Sequence, residues 1–87
     1  MTNQPPQLYL EVNVRSRKKS YFTGSAASLT SLNDKGEFDI LPQHANFISL
    51  IKDYITLGKG AKEEQKFTIS TGVLRVERNK VDVFLNV

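Results

Sequence analysis

Period-two alternation over short stretches is the sequence feature that most limits how this chain can fold. The apolar residues Leu8, Leu10, Val12 and Val14 alternate with polar or aromatic neighbours, which is typical of a strand with one buried face. Further stretches of this kind follow, most of them bounded by glycine, proline, asparagine or aspartate residues that favour turns. The sequence therefore predicts an all-β fold, a flattened β-sandwich of about 8–10 short, mostly antiparallel strands. The residues expected to face its core are Leu10, Val12, Phe38, Ile40, Ile69, Leu74, Val76, Val83 and Leu85.

Two positions are predicted to interrupt strands. Lys52–Asp53 is interpreted as a turn, and Gly72 as the break between strands 65–70 and 73–77. The apolar spacing in 47–51 suits a helical turn as well as a strand, and its β-branched content favours the strand.

The 87 residues allow one domain with a single core. Residues 1–7 contain two of the three prolines and no bulky apolar residue besides the initiator methionine, so we expect a flexible N-terminal tail and a folded domain over 8–87. The start lacks the basic and hydrophobic regions of a secretion signal, and no apolar run approaches the roughly 20 residues of a spanning helix. We expect a soluble intracellular protein.

Motifs for catalysis or metal binding are absent from the sequence. There is no cysteine, and His44 is the single histidine, so no second soft or imidazole ligand could share a metal. The Gly58–Gly60 segment lacks the Lys-Ser/Thr pair of a phosphate loop, and no serine lies in a Gly-x-Ser-x-Gly motif. We expect a protein that is not an enzyme, with no catalytic residue and no cofactor.

Two features allow a binding role. His44 could pack or hydrogen-bond locally, or it could contact a partner. Residues 15–19 (RSRKK) concentrate positive charge, but nucleic-acid binding usually joins such charge to aromatic platforms or a recognition helix. A solvated hairpin turn is the simpler interpretation of this cluster, and no nucleic-acid partner is expected.

Residues 36–52, GEFDILPQHANFISLIK, resemble the hallmark segment of the epsilon subunit of F-type ATP synthases, which is called delta in mitochondria. That family typically has Gly-Glu-x-Gly-Ile-x-Pro-Gly-His-Ala-Pro before an apolar strand. The matching residues are Gly36, Glu37, Ile40, Pro42, His44 and Ala45. The chain departs from the pattern at Asp39 and Gln43, which replace glycines, and at Asn46, which replaces a proline.

The resemblance extends over about residues 8–86. Residues 8–24 look like the family's first hairpin, which ends in Phe-x-Gly, and residues 67–86 look like its closing hairpin. The closing hairpin of the family has Ser-Gly-Gly-x-x-x-Val before Asn-x-Val-x-Val, and here Thr71 replaces the first of the two glycines.

The resemblance implies the N-terminal β-sandwich domain of such a subunit, without the C-terminal helical hairpin that bacterial members usually have. Inhibition of ATP hydrolysis and binding of ATP belong to that hairpin and are not carried over. The implied function is that of a non-catalytic central-stalk (rotor) subunit of a proton-translocating ATP synthase, coupling the gamma subunit to the c-ring. Partner contacts are then expected at Glu37, Asp39, Pro42, Gln43 and His44. The implied location is the cytoplasmic face of the inner or plasma membrane, with membrane association only through the complex.

Two other functions remain open at this point. One is a free-standing β-sandwich adaptor of the same ancestry that acts outside the motor. The other is a binder of nucleic acid or anionic surfaces through residues 15–19, which a steep salt dependence of oligonucleotide binding would indicate.

Overall fold

The computed structural model describes residues 9–43 and 45–86, and all regular structure in these ranges is β-strand. The strands are β1 (Leu10–Arg15), β2 (Ser20–Ala26), β3 (Leu29–Asn33), β4 (Gly36–Ile40), β5 (Phe47–Leu57), β6 (Gln65–Glu77) and β7 (Lys80–Leu85). The predicted all-β fold is confirmed. The tail predicted for residues 1–7 lies outside the described residues. Within those residues, no helix is long and apolar enough to cross a membrane.

The seven strands form one sheet, and its two halves fold over each other. Their order is β2-β1-β7-β6-β5-β3-β4, with β1 and β7 parallel and the other neighbours antiparallel. In a flat sheet β2 and β3 would lie about 24 Å apart, yet only Ala27 and Ser28 join them, a link that spans about 11 Å at most. The rings of Phe22 on β2 and Phe67 on β6 also meet, with centroids 6.3 Å apart. The two halves of the sheet therefore face each other as a sandwich.

The long strands β5 and β6 belong to both layers of the sandwich. Residues 72–77 of β6 pair with β7, whereas residues 52–57 of β5 pair with β3. Between these halves the β5–β6 register shifts by one residue at Asp53, whose φ is 72°. Because of this bulge, Ile69 and Leu74 both face the core although they are an odd number of positions apart.

Both predicted strand interruptions are wrong, so there are fewer strands than expected. Lys52–Asp53 is not a turn but lies inside β5, at the point where Asp53 faces Ile69 and Ser70 of β6 and the pairing with β3 is also irregular. Gly72 lies inside β6, where a Cβ would be 2.9 Å from the backbone oxygen of Phe84. This glycine is thus explained by close packing of β6 against β7 and not by a chain reversal.

One hydrophobic cluster between the layers forms the core. The predicted core residues Leu10, Val12, Ile40, Ile69, Leu74, Val76, Val83 and Leu85 are buried in it, together with Val14, Ala26, Leu29, Ile51, Ile55, Leu57 and Val81. Phe38 is half-buried and packs at its margin against Phe47, with ring centroids 5.6 Å apart. Burial of each Val, Leu or Ile side chain contributes roughly 1.5–3 kcal/mol, so this cluster is the main source of the fold's stability.

Candidate interaction site

Glu37 lies on the outward face of β4 and is held by two side chains from β5 and the connection that follows it. Its carboxylate accepts hydrogen bonds from the Tyr54 hydroxyl and from Lys59 Nζ, the latter at 2.9 Å. The bond from Tyr54, and then the one from Lys59, lowers the pKa of Glu37 below its ordinary value because both favour the ionised form. The same contacts raise the pKa of Tyr54 and of Lys59. Glu37 is therefore a fixed negative charge at neutral pH.

Asp39 is the second carboxylate on the same face of β4. It lies directly opposite Thr30 in the β3–β4 ladder and accepts a hydrogen bond from the Thr30 hydroxyl at 2.5 Å. The Thr30 side chain is buried, so its hydroxyl cannot bind water, and this bond supplies the hydrogen-bond partner that the hydroxyl would otherwise lack. It also orients the exposed Asp39 carboxylate outward from the sheet.

The segment that follows β4 is bound to the β6–β7 turn. Pro42 is half-buried, and the exposed Gln43 after it has a φ of 67°. The backbone N–H of Gln43 donates to Asn79 Oδ1 at 2.6 Å. In the opposite direction, the backbone N–H of Arg78 donates to Asn46 Oδ1 at 3.1 Å. Each segment thus supplies one amide donor and one asparagine acceptor to the other.

The predicted contact residues fall into separate networks. Glu37 is bound to Lys59, which precedes the start of β6, whereas Gln43 is bound to Asn79, which follows the end of β6. The structure brings Gln43 together with the β6–β7 turn, a neighbour that the sequence did not indicate. His44 lies outside the described residues.

An exposed apolar surface on β5, β6 and β7 was not predicted from the sequence. Leu50 lies opposite Val73, and Val73 lies opposite Phe84, so the three side chains form a row across adjacent strands. Ile48 is two positions along β5 on the same face. Leu50 is 72% exposed and Ile48 69%. We call Ile48, Leu50, Val73 and Phe84 the apolar patch. Contiguous apolar surface of this kind marks interaction sites on soluble proteins.

Cationic side chains border the apolar patch. Arg75 lies opposite Ile48 and binds Glu77 at 3.1 Å, and Arg15 lies beside Phe84 in the β1–β7 pairing. Arg17 and Lys52 line a groove of about 560 Å³ at the edge of the patch. An apolar centre inside a charged rim is the usual arrangement of a protein–protein interface.

The sequence did contain a signal for the apolar patch. In 47–51, Phe47 and Ile51 turn toward the core, and Ile48 and Leu50 therefore point outward. A strand that is apolar on both faces indicates that both faces are covered. The choice between helix and strand for this run does not by itself reveal the outward apolar face.

The basic cluster at 15–19 forms the β1–β2 turn, as the hairpin interpretation requires. Ser16 Oγ accepts hydrogen bonds from the backbone N–H groups of Lys18 and Lys19, at 3.2 and 3.4 Å. The Lys19 ammonium lies 4.7 Å from the centre of the Tyr21 ring. Over residues 9–43 and 45–86, no group of three or more Asp, Glu, His or Cys side chains is placed to hold a metal ion.

Comparison with known protein families gives a match over nearly the whole chain. The family model for the β-sandwich domain of the ATP synthase delta/epsilon chain matches residues 9–87. The chain is also similar to the ATP synthase epsilon chain of Wolinella succinogenes, at 31% identity over 75 residues, which covers 85% of this chain and 57% of the relative. The epsilon chain of Sulfurimonas denitrificans is 29% identical over 77 residues, with 87% and 59% covered. This chain spans little more than half the length of these relatives, and the resemblance noted in the sequence is confirmed.

Solved structures with the same fold come from mitochondrial ATP synthases. A chain in the Euglena gracilis OSCP/F1/c-ring structure superposes with a TM-score of 0.82 at 14% identity, covering 97% of this chain and 54% of that one. A chain in the Tetrahymena thermophila central stalk/c-ring structure gives a TM-score of 0.72 at 13% identity, with 97% and 67% covered. At such low identity the likeness concerns the fold, and it agrees with the predicted sandwich.

Proposed function

Because this chain belongs to the β-sandwich family of the ATP synthase delta/epsilon chain, we propose that it is a non-catalytic rotor subunit of the central stalk. In this role it couples the gamma subunit to the c-ring of an F-type, proton-translocating ATP synthase. The match of the family model to residues 9–87 is the observation that carries the proposal. The epsilon chains among its relatives and the ATP synthase assemblies that contain its structural neighbours support it.

The gamma subunit is the partner proposed for the apolar patch. Ile48 and Leu50 project outward from β5, and burying large apolar side chains is what drives stable association. The cationic rim, including Arg15 and Arg17, then confers orientation and selects a partner with acidic groups at the matching positions.

The c-ring is the partner proposed for Glu37, Asp39, Pro42, Gln43 and His44. Torque passes through such an interface by packing and hydrogen bonding, so the contact residues must be stiff and need no reactive group. Tyr54 and Lys59 fix Glu37, and Thr30 fixes Asp39. This polar surface suits the polar loops of the ring. Membrane association then occurs only through the complex, at the cytoplasmic face, and the isolated domain is soluble.

A capture experiment with the two partners tests the proposal. The immobilised 87-residue chain is mixed with recombinant gamma subunit and, separately, with detergent-solubilised c-ring. The wild-type chain is expected to retain both partners at concentrations of about 10–100 μM, a range suited to a modest interface. The double variant Glu37→Ala/His44→Ala is expected to retain gamma but to lose the ring. Its unfolding transition, measured alongside, should show that the fold is kept.

The outcomes separate the candidate functions. Capture of neither partner contradicts the rotor function and favours the free-standing adaptor. Capture of gamma together with normal ring binding by the double variant leaves the stalk role in place and contradicts the assignment of Glu37 and His44 as ring contacts.

A further inference from the structure

We propose that Asn46 and Asn79 are positioning residues that lock the segment after β4 to the β6–β7 turn, so that the two form one contact surface. The lock is reciprocal, since Asn79 Oδ1 accepts from the Gln43 N–H and Asn46 Oδ1 accepts from the Arg78 N–H. The identity of the partner, the c-ring, rests on the proposed function, whereas the lock itself rests on these contacts.

The two amides held by the lock belong to residues in strained backbone conformations. Gln43 has a φ of 67° and Arg78 a φ of 59°, both in the left-handed region that side chains disfavour. Such residues keep these conformations only where the surroundings hold them. In the hallmark segment of the family, the positions of Gln43 and Asn46 are occupied by Gly and Pro. A proline could not supply the acceptor oxygen that the Asn46 side chain provides. The lock is therefore a feature of this chain's own side chains.

The β6–β7 turn is a firm base for the segment it holds. The backbone oxygen of Asn79 accepts a hydrogen bond from the Glu11 N–H at 2.8 Å, which ties the turn to β1. Glu77 and Lys80 pair at the ends of the strands that the turn connects. Force applied at Gln43 is thus passed to the central strands of the sheet.

The lock also enlarges the surface proposed for the ring. The exposed side chains of Arg78 and Lys80 border a groove of about 650 Å³ beside Glu11 and Glu77. Because Asn79 of this turn binds Gln43, these charged groups lie next to Gln43 and add to the polar surface there. We infer that a polar partner loop contacts both segments at once, and that neither segment alone presents the full surface.

Amide hydrogen exchange in the 87-residue chain tests the lock without any partner. In the Asn79→Ala variant, the backbone amide of Gln43 is expected to exchange about fivefold faster than in wild type, because it loses one hydrogen bond. In the Asn46→Ala variant, the same increase is expected for the backbone amide of Arg78. Asn79→Asp and Asn46→Asp keep an acceptor oxygen and should restore slow exchange. Asn13→Ala, a change of the same residue type on β1, should leave both amides unaffected. Unchanged exchange in the two alanine variants overturns the proposal.

Ring capture tests the positioning role. Each alanine variant should lose at least about fivefold in ring capture, each aspartate variant should retain it, and gamma capture should stay at the wild-type level. Faster exchange combined with wild-type ring capture by the alanine variants contradicts the positioning role. If the wild-type chain captures no ring, the proposed function fails, and the exchange rates still decide whether the lock exists.

Discussion

At the scale of single residues, Glu37 shows how an exposed charge can be made rigid without being buried. Its carboxylate is shared between a phenol and an ammonium group that come from residues 17 and 22 positions further along the chain. The two hydrogen bonds link β4 to the β5–β6 hairpin. Because both donors favour the ionised form of Glu37, the strength of this link depends on pH.

The pH dependence of this link is the first prediction. The pKa of Glu37 is lowered in the fold, so its contribution to the free energy of unfolding is present above the ordinary carboxyl pKa of about 4.3 and is lost as pH falls through the lower folded value. Wild type should therefore be slightly more stable than Glu37→Gln near neutral pH, and the two should converge in acid. Urea unfolding from about pH 3 to pH 8 measures the difference.

A matched variant separates this link from a general effect of charge. Tyr54→Phe removes the first donor and leaves Glu37 in place, so the carboxyl pKa, followed by NMR titration, should rise toward its ordinary value. A difference between wild type and Glu37→Gln that is equally large in acid and at neutral pH would contradict the assignment.

At the residue scale, the sequence indicated candidate contact residues only where the signal was local. The hallmark segment identified Gln43 from its neighbours in sequence, but Asn79, which holds it, is 36 positions away. A hydrogen bond between two turns leaves no periodic pattern in either one. The lock could therefore be found only from the folded arrangement.

At the scale of elements, β5 and β6 are the strands that turn a sheet into a sandwich. Each is longer than the other strands, and the register shift at Asp53 lets the inward face of β6 pass from Ile69 to Leu74. Alternation identified the inward positions Ile69, Leu74 and Val76 in the two halves of β6, but it identified none of the buried residues Ile51, Ile55 and Leu57 of β5. It could not identify the bulge, because a bulge and a turn produce the same break in period-two spacing, and only pairing with the next strand distinguishes them.

The central position of Gly72 in β6 gives the second prediction. Gly72→Ala would place a Cβ 2.9 Å from the Phe84 backbone oxygen and 3.1 Å from Leu85 Cδ2, so β6 and β7 must move apart. Overpacking of this kind costs about 1–3 kcal/mol. The denaturant midpoint should fall accordingly without a change in slope. Val73→Ala, next to it but pointing outward, should change stability by less than about 0.5 kcal/mol.

Burial of Ile55 where β5 crosses between the layers gives the third prediction. Ile55 is fully buried and lies between the bulge and the end of β5. Ile55→Ala should cost about 2–5 kcal/mol, a large part of the roughly 5–15 kcal/mol that a domain has in total. Thermal unfolding measures the loss, and a shift no larger than that of exposed Lys52→Ala would contradict the position of Ile55 in the core.

At the scale of the whole molecule, the two layers of the sandwich have unlike outer faces. The layer that contains β7 and β1 carries the apolar patch, whereas the layer that contains β3 and β4 carries Glu37 and Asp39. Opposite faces of a sandwich point away from each other, so one small domain can contact an apolar partner and a polar partner at the same time. This asymmetry is what the proposed coupling function requires.

The difference between the faces gives the last prediction. Leu50→Gln/Val73→Gln removes two neighbouring members of the apolar patch and should weaken gamma capture by at least about tenfold, since buried apolar anchors commonly contribute more than 1 kcal/mol each at an interface. Both side chains are exposed, so the unfolding transition should remain near that of wild type.

Thr68→Gln, an exposed change on β6 in the other layer, is the matched control and should bind gamma normally. Ring binding through Glu37 and Asp39 should weaken as ionic strength rises. Wild-type gamma capture by the double glutamine variant would show that gamma binds elsewhere on the domain, and a loss of ring capture in the same variant would show that the two faces do not act independently.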